Sequence, residues 1–325
     1  MSSPQTVWCN VRFGAAAARL LEEGLAGHRL VFSTQLAVSN LVSGGADPLL
    51  AEADVAFGQP EPGGVVASAR VRWVQLNSAG YTRYDSEEFR RGFAERGAQL
   101  TNSSAVYADP CAEQALAFLL AVARELPQSV QVQWEDRSWP AALRRSRSRL
   151  LRGQKVVLLG FGAIGRRLAE LLAPFEVEIT AFRRLQSGSG GVRTVDAEGL
   201  EAALGEADHV VNLLPDNAET RGFMSAARFA AMKRGACFCN VGRGTTVDQE
   251  ALIGALESGH LSAAYLDVTD PEPLPSEHPL WKAPGCWITP HTAGGHHDEE
   301  ERLVRHFLAN FRRYLGGEPL ADRVI

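Results

Sequence analysis

The chain has 325 residues, which is long for a single hydrophobic core and sufficient for two domains. Hydrophobic residues make up 45% and charged residues 22%, the composition of a globular protein with a large core. A net charge of −5 argues against a nucleic-acid partner, because such a surface needs a basic face.

The sequence gives no sign of membrane insertion or secretion. We find no apolar stretch of the roughly 18 residues that span a bilayer, and no positive leader followed by an apolar block at the N-terminus. Five cysteines without framework spacing are typical of a reducing compartment. Cys237 and Cys239 alternate along a strand-like stretch, and we expect them to be buried small side chains. The predicted location is therefore the cytoplasm, without a membrane partner or a metal.

The first hundred residues alternate strand-like and helix-like segments, which predicts a parallel sheet with helices on its faces. Helical periodicity lies between the apolar runs, for example in AAAARLLEEGLAG. The predicted strands of this part are 6–11, 28–33, 54–58 and 72–77.

A long helix is predicted to follow and to join two domains. Asp109 is the expected cap of this helix and Pro110 its first helical residue. The arginine-rich stretch 143–153 is interpreted as a solvated helix or linker face, with a patch for an anionic ligand as the alternative.

A second alternating series begins near residue 154 and ends in an amphipathic helix that is acidic at its start and basic at its end. Two alternating series predict an α/β protein with two Rossmann-like domains. The predicted strands of the second series are 155–160, 177–182, 209–214, 236–241, 262–268 and 286–289.

A glycine pattern indicates a dinucleotide site. Gly160, Gly162 and Gly165 follow a predicted strand and open a helix, with Ala163 and Ile164 at its first positions. Glycines at this spacing permit a tight turn, close approach of the backbone to pyrophosphate, and helix–strand contact. The helix N-terminus then offers N–H groups to the phosphates.

Two arginines favour NADP over NAD. Arg183 and Arg184 end the next predicted strand, about where an acidic residue usually binds the ribose hydroxyls of NAD. A carboxylate would repel a 2′-phosphate, whereas a guanidinium pairs with it. The alternative is that these arginines point into solvent and that the cofactor is NAD.

Three polar side chains follow later predicted strands, at the sheet edge where open α/β sheets collect ligands. They are Arg243 in NVGRG, Glu272 in LDVTDPEPLP and His291 in TPHTAGG. An arginine binds a keto acid's carboxylate and polarises its carbonyl, and a histidine donates a proton near neutral pH. A carboxylate beside an imidazole orients the ring and favours its protonated form. The set predicts carbonyl reduction.

These motifs, together with LLGFGAIGR, resemble the D-isomer-specific 2-hydroxyacid dehydrogenases, a family that includes glyoxylate/hydroxypyruvate reductases and phosphoglycerate dehydrogenases. The resemblance implies that Arg243 binds substrate and polarises its carbonyl, that Glu272 is the partner of the acid, and that His291 donates the proton. It also implies that the amides of Ser78, Ala79 and Gly80 hold the substrate carboxylate. The positions that it assigns to the cofactor, besides the glycine loop, are Pro215, Val241 and Asp267.

In this family the cofactor domain is inserted into the substrate domain. The resemblance implies a doubly wound parallel-sheet cofactor domain at 102–289, inserted into a flavodoxin-like substrate domain at 1–101 and 290–325. It also implies a homodimer and a small 2-keto acid substrate, with glyoxylate or hydroxypyruvate favoured.

Several alternatives stay open. The substrate could be phosphoglycerate or a bulkier 2-keto acid, and Arg83 could bind a distal anion or a neighbouring carboxylate. A nucleotide-sensing protein of the corepressor type, without turnover, shares this fold and these three residues. His296 and His297 beside Asp298 suggest a metal, but we favour solvent exposure or helix capping there.

Overall fold

The computed structural model describes residues 3–37, 44–183 and 191–325, and its tertiary contacts divide the chain into two compact units. Unit 1 comprises Met1–Tyr107 and Gly295–Ile325, and unit 2 comprises Ala108–Gly294. The boundaries expected from the sequence lie a few residues earlier in the chain, after residues 101 and 289.

Strands and helices alternate through both units. The strands are β1 (Thr6–Cys9), β2 (Arg29–Phe32), β3 (Val55–Gly58), β4 (Trp73–Leu76), β5 (Gln99–Thr101), β6 (Lys155–Leu159), β7 (Glu178–Phe182), β8 (Arg193–Val195), β9 (His209–Asn212), β10 (Cys237–Asn240), β11 (Ala263–Leu266) and β12 (Cys286–Ile288). The α-helices are α1 (Ala15–Gly24), α2 (Pro62–Ala67), α3 (Glu87–Ala94), α4 (Ser104–Ala123), α5 (Leu126–Glu135), α6 (Ala141–Arg147), α7 (Ala163–Leu172), α8 (Ala197–Glu206), α9 (Ala226–Ala231), α10 (Gln249–Glu257) and α11 (Glu299–Gly316).

Each unit contains one parallel sheet. The strand order in unit 1 is β2-β1-β3-β4-β5, the flavodoxin-like arrangement. The order in unit 2 is β12-β11-β10-β9-β6-β7-β8, so that the chain reverses direction across the sheet between β6 and β9, as in a Rossmann fold. The predicted α/β class with two Rossmann-like sheets is confirmed.

Each predicted strand coincides with an observed one, but β5 and β8 were not predicted. Both have only three residues and no clear apolar alternation. Hydrogen bonds to a neighbouring strand hold these segments in the extended conformation, as in the pairing of Thr180 with Arg193. Such pairing depends on tertiary contacts rather than on local sequence.

The predicted start of the long helix is wrong. Helix α4 begins at Ser104, and Pro110 lies inside it. Asp109 does not cap the helix but accepts a hydrogen bond from Arg167 Nε at 2.6 Å. Burial of Val106 and Tyr107 extends the helix ahead of the proline, and this packing outweighs the local capping preference.

Judged by length and composition alone, α4 is able to cross a membrane, contrary to the expectation from the sequence. A core helix of a globular protein meets the same criteria. Gln114 donates a hydrogen bond to the Tyr265 hydroxyl at 2.7 Å, and Phe118 stacks on the same ring at 5.2 Å. These are the contacts of a helix packed inside a protein.

The core of unit 1 lies on both faces of its sheet. On one face Trp8, Tyr84 and Phe93 pack among aliphatic side chains. On the other face Phe307 of α11 stacks on Phe57 at a centroid distance of 4.3 Å, and on Trp73 at 5.4 Å. Helix α11, near the end of the chain, therefore completes a core that the first hundred residues begin.

We predict that Phe307→Ala lowers the stability of the protein by about 3–5 kcal/mol, because it removes a fully buried ring and leaves a cavity. The midpoint of urea unfolding, followed by tryptophan fluorescence, measures the effect. Phe32→Ala, at a side chain that is 45% exposed, is the matched control and is expected to change stability little. Equal stability of the two variants would contradict this account of the core.

Candidate active site

The glycine loop follows β6 and opens α7 in unit 2. Gly160 has a φ of +100°, a conformation that residues with a Cβ rarely adopt. A Cβ on Gly165 would lie 2.8 Å from the Gly160 carbonyl oxygen, so the loop and the helix pack too closely for any side chain there. Both glycines are therefore required by the fold of the loop itself.

Gly162 differs from its two neighbours in the pattern. A Cβ built on it meets nothing within 4 Å, and no side chain caps α7, which begins at the next residue. The amides of Ala163 and Ile164 lie in the first turn, where backbone N–H groups have no partner within the helix. The loop is thus an open cradle with exposed backbone donors, which fits a pyrophosphate.

Arg183 directly follows β7, as the sequence predicted. Its amide donates to the Val195 carbonyl oxygen at 3.1 Å, and its guanidinium lies 5.9 Å from the centroid of the Phe161 ring in the glycine loop. Arg184 lies outside the described residues. Of the two arginines expected to favour NADP, the structure therefore places Arg183, at the end of β7 beside the glycine loop.

Arg243 sits between two glycines that the backbone requires. A Cβ on Gly244 would lie 2.0 Å from the carbonyl of Thr269, and one on Gly242 would lie 2.8 Å from the Leu214 carbonyl oxygen. Two neighbouring loops thus pass directly against the backbone on either side of the arginine. The two glycines therefore fix the position of the Arg243 main chain, from which the side chain extends.

Buried polar side chains also hold the main chain at Arg243 by hydrogen bonds. The Asn212 amide donates to Asn240 Oδ1 at 3.0 Å and to Thr246 Oγ1 at 2.7 Å. Asn240 and Thr246 in turn donate to the Arg243 carbonyl oxygen, at 3.1 and 2.6 Å. The sequence reasoning missed these residues, although asparagines that end two apolar strands were a signal for them.

Glu272 and His291 form a hydrogen-bonded pair. His291 Nδ1 lies 2.8 Å from Glu272 Oε2, and the other carboxylate oxygen accepts from the Thr269 amide at 3.0 Å. His291 Nε2 has no hydrogen-bond partner among the residues that the structure describes. The ring is thus held at one nitrogen and open at the other.

The main chain of His291 is in the left-handed region, with a φ of +54°. Residues other than glycine adopt it rarely, at a cost of about 1–3 kcal/mol. The His291 amide donates to the carbonyl oxygens of Asp267 and Thr289, at 2.8 and 2.9 Å. The surrounding structure therefore imposes the conformation that directs this side chain.

Asp267 anchors the loop that carries His291. Its carboxylate accepts hydrogen bonds from the Thr289 hydroxyl at 2.6 Å, the Thr292 amide at 2.8 Å and the Ala293 amide at 2.9 Å. The sequence assigned Asp267 to the cofactor. The structure adds a positioning role that the sequence did not suggest.

Charges converge on Glu272. Burial raises the pKa of Glu272, but the hydrogen bond and charge of His291, the Thr269 amide and the charge of Arg243 outweigh it, so the pKa lies below its usual value. Glu272 is therefore ionised at neutral pH. Burial lowers the pKa of Arg243, and the Glu272 carboxylate opposes this change. Arg243, Glu272 and His291, which are distant in sequence, thus form one electrostatic cluster within unit 2.

In unit 1, the loop after β4 presents a row of backbone amides. The carbonyl oxygens of Asn77 to Gly80 all accept hydrogen bonds from within the unit, from Tyr107, Ser103, Asn102 and the Ser78 hydroxyl in turn. The amides of Ser78, Ala79 and Gly80 have no partner in the described part of the chain. This backbone arrangement suits a carboxylate ligand.

The remaining predicted residues are less distinctive. Val241 is buried after β10, whereas Pro215 is exposed and its carbonyl oxygen accepts from the Thr220 hydroxyl at 2.5 Å.

Arg83 donates to the Gln59 side chain at 3.4 Å, which is neither of the two partners considered for it. Asp298 lies 2.9 Å from Arg302 and more than 3.5 Å from His296 and His297. Within the described ranges no group of three or more His, Cys, Asp or Glu side chains is arranged to hold a metal.

Comparisons with known proteins decide the family. Residues 116–293 match the family model for the NAD-binding domain of D-isomer-specific 2-hydroxyacid dehydrogenases. The chain belongs to this family. It is 33% identical over 269 residues to a mouse glyoxylate reductase/hydroxypyruvate reductase, covering 79% of this chain and 78% of the mouse protein.

Solved structures of the family superimpose on the whole chain. A D-isomer-specific 2-hydroxyacid dehydrogenase from Xanthobacter autotrophicus Py2, in complex with NADPH and MES, has a TM-score of 0.81 at 27% identity and covers 100% of this chain and 98% of its own. An NADPH-dependent glyoxylate/hydroxypyruvate reductase from Sinorhizobium meliloti, with NADP and sulfate, has a TM-score of 0.74 at 26% identity, with 98% of each chain covered. The chain is therefore a nicotinamide-dinucleotide-dependent dehydrogenase or reductase of the 2-hydroxyacid family.

We predict that Gly162→Ala weakens NADPH binding at least about tenfold without loss of stability, because the new methyl group occupies the open side of the cradle. Gly165→Ala is expected to lower stability by about 1–3 kcal/mol, because its Cβ meets a backbone oxygen. Fluorescence titration with NADPH and urea unfolding measure the two effects. Unchanged NADPH affinity in Gly162→Ala would contradict the assigned site.

Proposed function

We propose that the protein is an NADP(H)-dependent reductase of small 2-keto acids, with glyoxylate and hydroxypyruvate as substrates and D-2-hydroxy acids as products. The observation that carries the proposal is the Arg243–Glu272–His291 cluster, in which Nε2 of the imidazole is open. The names of the mouse relative and of the Sinorhizobium meliloti neighbour support the choice of substrate.

The glycine loop holds the dinucleotide. The amides at the start of α7, beside Gly160, Gly162 and Gly165, would hold its pyrophosphate, and Pro215, Val241 and Asp267 would line the rest of its site. When bound in its reduced form, the nicotinamide supplies the hydride that adds to the carbonyl carbon of the substrate.

His291 supplies the proton. As hydride adds to carbon, the carbonyl oxygen gains negative charge and takes the proton from Nε2 of the imidazolium, so that C=O becomes CH–OH. Glu272, ionised at neutral pH, holds Nδ1 at 2.8 Å and stabilises the protonated ring before transfer. The neutral imidazole is then reprotonated from solvent.

Arg243 in unit 2 and the loop after β4 in unit 1 are separate sets of donors for a carboxylate. The guanidinium binds the carboxylate and polarises the carbonyl, which calls for its planar fork of donors. In unit 1, the amides of Ser78, Ala79 and Gly80 are proposed to bind a carboxylate, since their N–H groups have no partner in the described chain. Each unit thus offers its own donors for the carboxylate of a keto acid.

We predict that NADPH is oxidised with glyoxylate and hydroxypyruvate, and that His291→Asn lowers kcat by at least about a hundredfold, because it removes the proton donor. Initial rates at 340 nm with a panel of 2-keto acids measure turnover, and fluorescence titration measures NADPH binding. The panel includes phenylpyruvate and 3-phosphohydroxypyruvate, which represent bulkier and phosphorylated substrates.

The controls for this prediction separate chemistry from binding. His291→Asn is expected to retain NADPH affinity, and Glu272→Gln is expected to keep the ring in place but to lower kcat, because a neutral amide replaces the ionised carboxylate at Nδ1. Tight NADPH binding without turnover of any keto acid would refute the reductase proposal and favour a nucleotide sensor.

We propose that Arg183 pairs with the 2′-phosphate of NADP. Its place at the end of β7, against the ring of Phe161, puts a cation where NAD-specific proteins have an acid. Arg183→Ala is predicted to raise KM for NADPH at least about tenfold and to leave KM for NADH nearly unchanged, since only NADPH loses a charge-assisted bond.

The matched control is Arg193→Ala, which removes an exposed arginine at the start of β8, away from the carboxyl end of the sheet. It is expected to leave both constants unchanged. An equal effect of Arg183→Ala on both cofactors would rule out the 2′-phosphate contact.

We also propose that the enzyme is a homodimer that buries the arm formed by residues 126–150. Of the large hydrophobic side chains exposed in the described chain, most lie in this arm. Leu126, Val130 and Trp134 follow one face of α5, and Trp139 is 92% exposed. An apolar surface of this kind marks an interface, and a second copy of the chain supplies the same surface in return.

Trp134→Ser combined with Trp139→Ser is predicted to shift the protein from dimer to monomer, because both side chains lose their apolar contact. Sedimentation velocity measures the mass in solution. Trp281→Ser, at a tryptophan that is 50% exposed outside the arm, is the control and is expected to leave the mass unchanged. A double variant that sediments like the parent would exclude the arm as the interface.

The proposed location is the cytoplasm. Cys9, Cys237, Cys239 and Cys286 carry free thiols, and burial raises the pKa of Cys9 to about 12. Such buried, protonated thiols are compatible with a reducing compartment.

A further inference from the structure

A cavity lies in unit 2, at the amino ends of the parallel strands. It has a volume of about 360 Å³. Gln154 precedes β6, His209 begins β9, Cys237 begins β10 and Ser262 precedes β11, and all four line it. The catalytic cluster and the glycine loop follow the carboxyl ends of strands of the same sheet, so this cavity is distinct from them.

The hydrogen bonds of His209 fix which nitrogen carries its proton. The Gln154 amide donates to the Leu150 carbonyl oxygen at 2.6 Å, so its Oε1 is left as an acceptor. His209 Nε2 lies 2.6 Å from that oxygen and must be the donor. Burial lowers the pKa of His209 to about 4, so the ring is neutral and Nδ1 carries a lone pair.

Two acceptors at the cavity lack donors. His209 is only 3% exposed, and its Nδ1 has no hydrogen-bond partner in the described chain. The same holds for Oε1 of Gln128, which also lines the cavity. A buried polar atom without a partner is destabilising, because it has lost its hydrogen bonds to water. A ligand that donates hydrogen bonds would remove this cost.

The charges at the cavity favour an anion. Its two carboxylates are already paired, Asp208 with Lys233 at 2.6 Å and Glu125 with Arg144 at 2.7 Å. Arg147 and Arg149 are exposed at the rim and form no ion pair with any described residue. The rim thus carries the positive charge of two arginines without ion-pair partners, and the cavity wall contains two hydrogen-bond acceptors without donors.

We propose that this cavity binds a small carboxylate that also carries a hydroxyl or amino group. The carboxylate pairs with Arg147 and Arg149. An ammonium group donates to both His209 Nδ1 and Gln128 Oε1, whereas a hydroxyl, which has one hydrogen, donates to one of them. The volume of about 360 Å³ is sufficient for a small molecule of this kind and lies near the lower end of the range for ligand pockets. The site does not depend on the substrate proposed above.

Isothermal titration calorimetry of the full chain with glycolate, glycine and acetate tests the proposal. Glycolate represents the hydroxyl ligand, glycine represents the amino ligand, and acetate has the carboxylate without a donor. We expect glycolate or glycine to bind with a Kd of about 1 mM or tighter, and acetate to bind about tenfold more weakly.

Variants locate the binding. Arg149→Gln is expected to weaken the tighter probe about tenfold through loss of a charge-assisted bond, and Gln128→Met is expected to reduce its affinity towards that of acetate. Arg145→Gln, a neighbouring exposed arginine that does not line this cavity, is expected to have no effect. Glycolate is also the product of the proposed glyoxylate reduction, so binding that persists in Arg243→Lys is assigned to this cavity, and this variant separates it from the catalytic site. Unchanged urea unfolding confirms that each variant is folded.

The proposal is overturned if neither glycolate nor glycine binds, if acetate binds equally well, or if Arg149→Gln has no effect. Crystals grown with the tighter probe give a direct view and are expected to show it in contact with His209 Nδ1. Ordered water alone at that atom would show that the cavity is a hydration site only.

Discussion

Asp267 accepts three hydrogen bonds from the segment that carries His291, and the geometry of the proposed acid depends on them. The aspartate lies just beyond β11 and is almost fully buried, so the seven-stranded sheet is the platform on which the loop is fixed. That anchoring imposes the left-handed backbone of His291 and aims its ring at Glu272. A side chain in an unfavourable conformation is thus held by several bonds to a rigid element, as precise proton transfer requires.

Close backbone contact supports the rest of the cluster. Gly244 lets the Thr269 carbonyl pass where a side chain would otherwise stand, and the Thr269 amide binds Glu272. The position of Arg243 and the orientation of Glu272 are therefore set by the same contact between two loops. A larger residue at Gly244 would therefore displace the guanidinium and the carboxylate together.

The two edges of the unit 2 sheet differ in chemistry. The carboxyl edge carries the open helix start, the arginine and the imidazole, whose polar atoms face developing charge in the proposed reaction. The amino edge carries a neutral imidazole and a carboxamide whose acceptors are unfilled, beneath two arginines. In a parallel sheet all carboxyl ends of the strands lie at one end and all amino ends at the opposite end. The proposed reaction and the proposed anion site thus use opposite ends of the same sheet.

The sequence by itself determined the two alternating series, the glycine loop and the identity of Arg243, Glu272 and His291, because these depend on local periodicity and on side-chain chemistry. It did not predict β5 and β8, and it misplaced the start of α4, since hydrogen bonding to neighbouring strands and burial of Val106 and Tyr107 override local preference. Only the tertiary structure showed that Asp267 holds the His291 loop and that Asn212 and Asn240 support Arg243. Those roles arise where residues far apart in sequence become buried partners, and no single stretch of the chain specifies such a partnership.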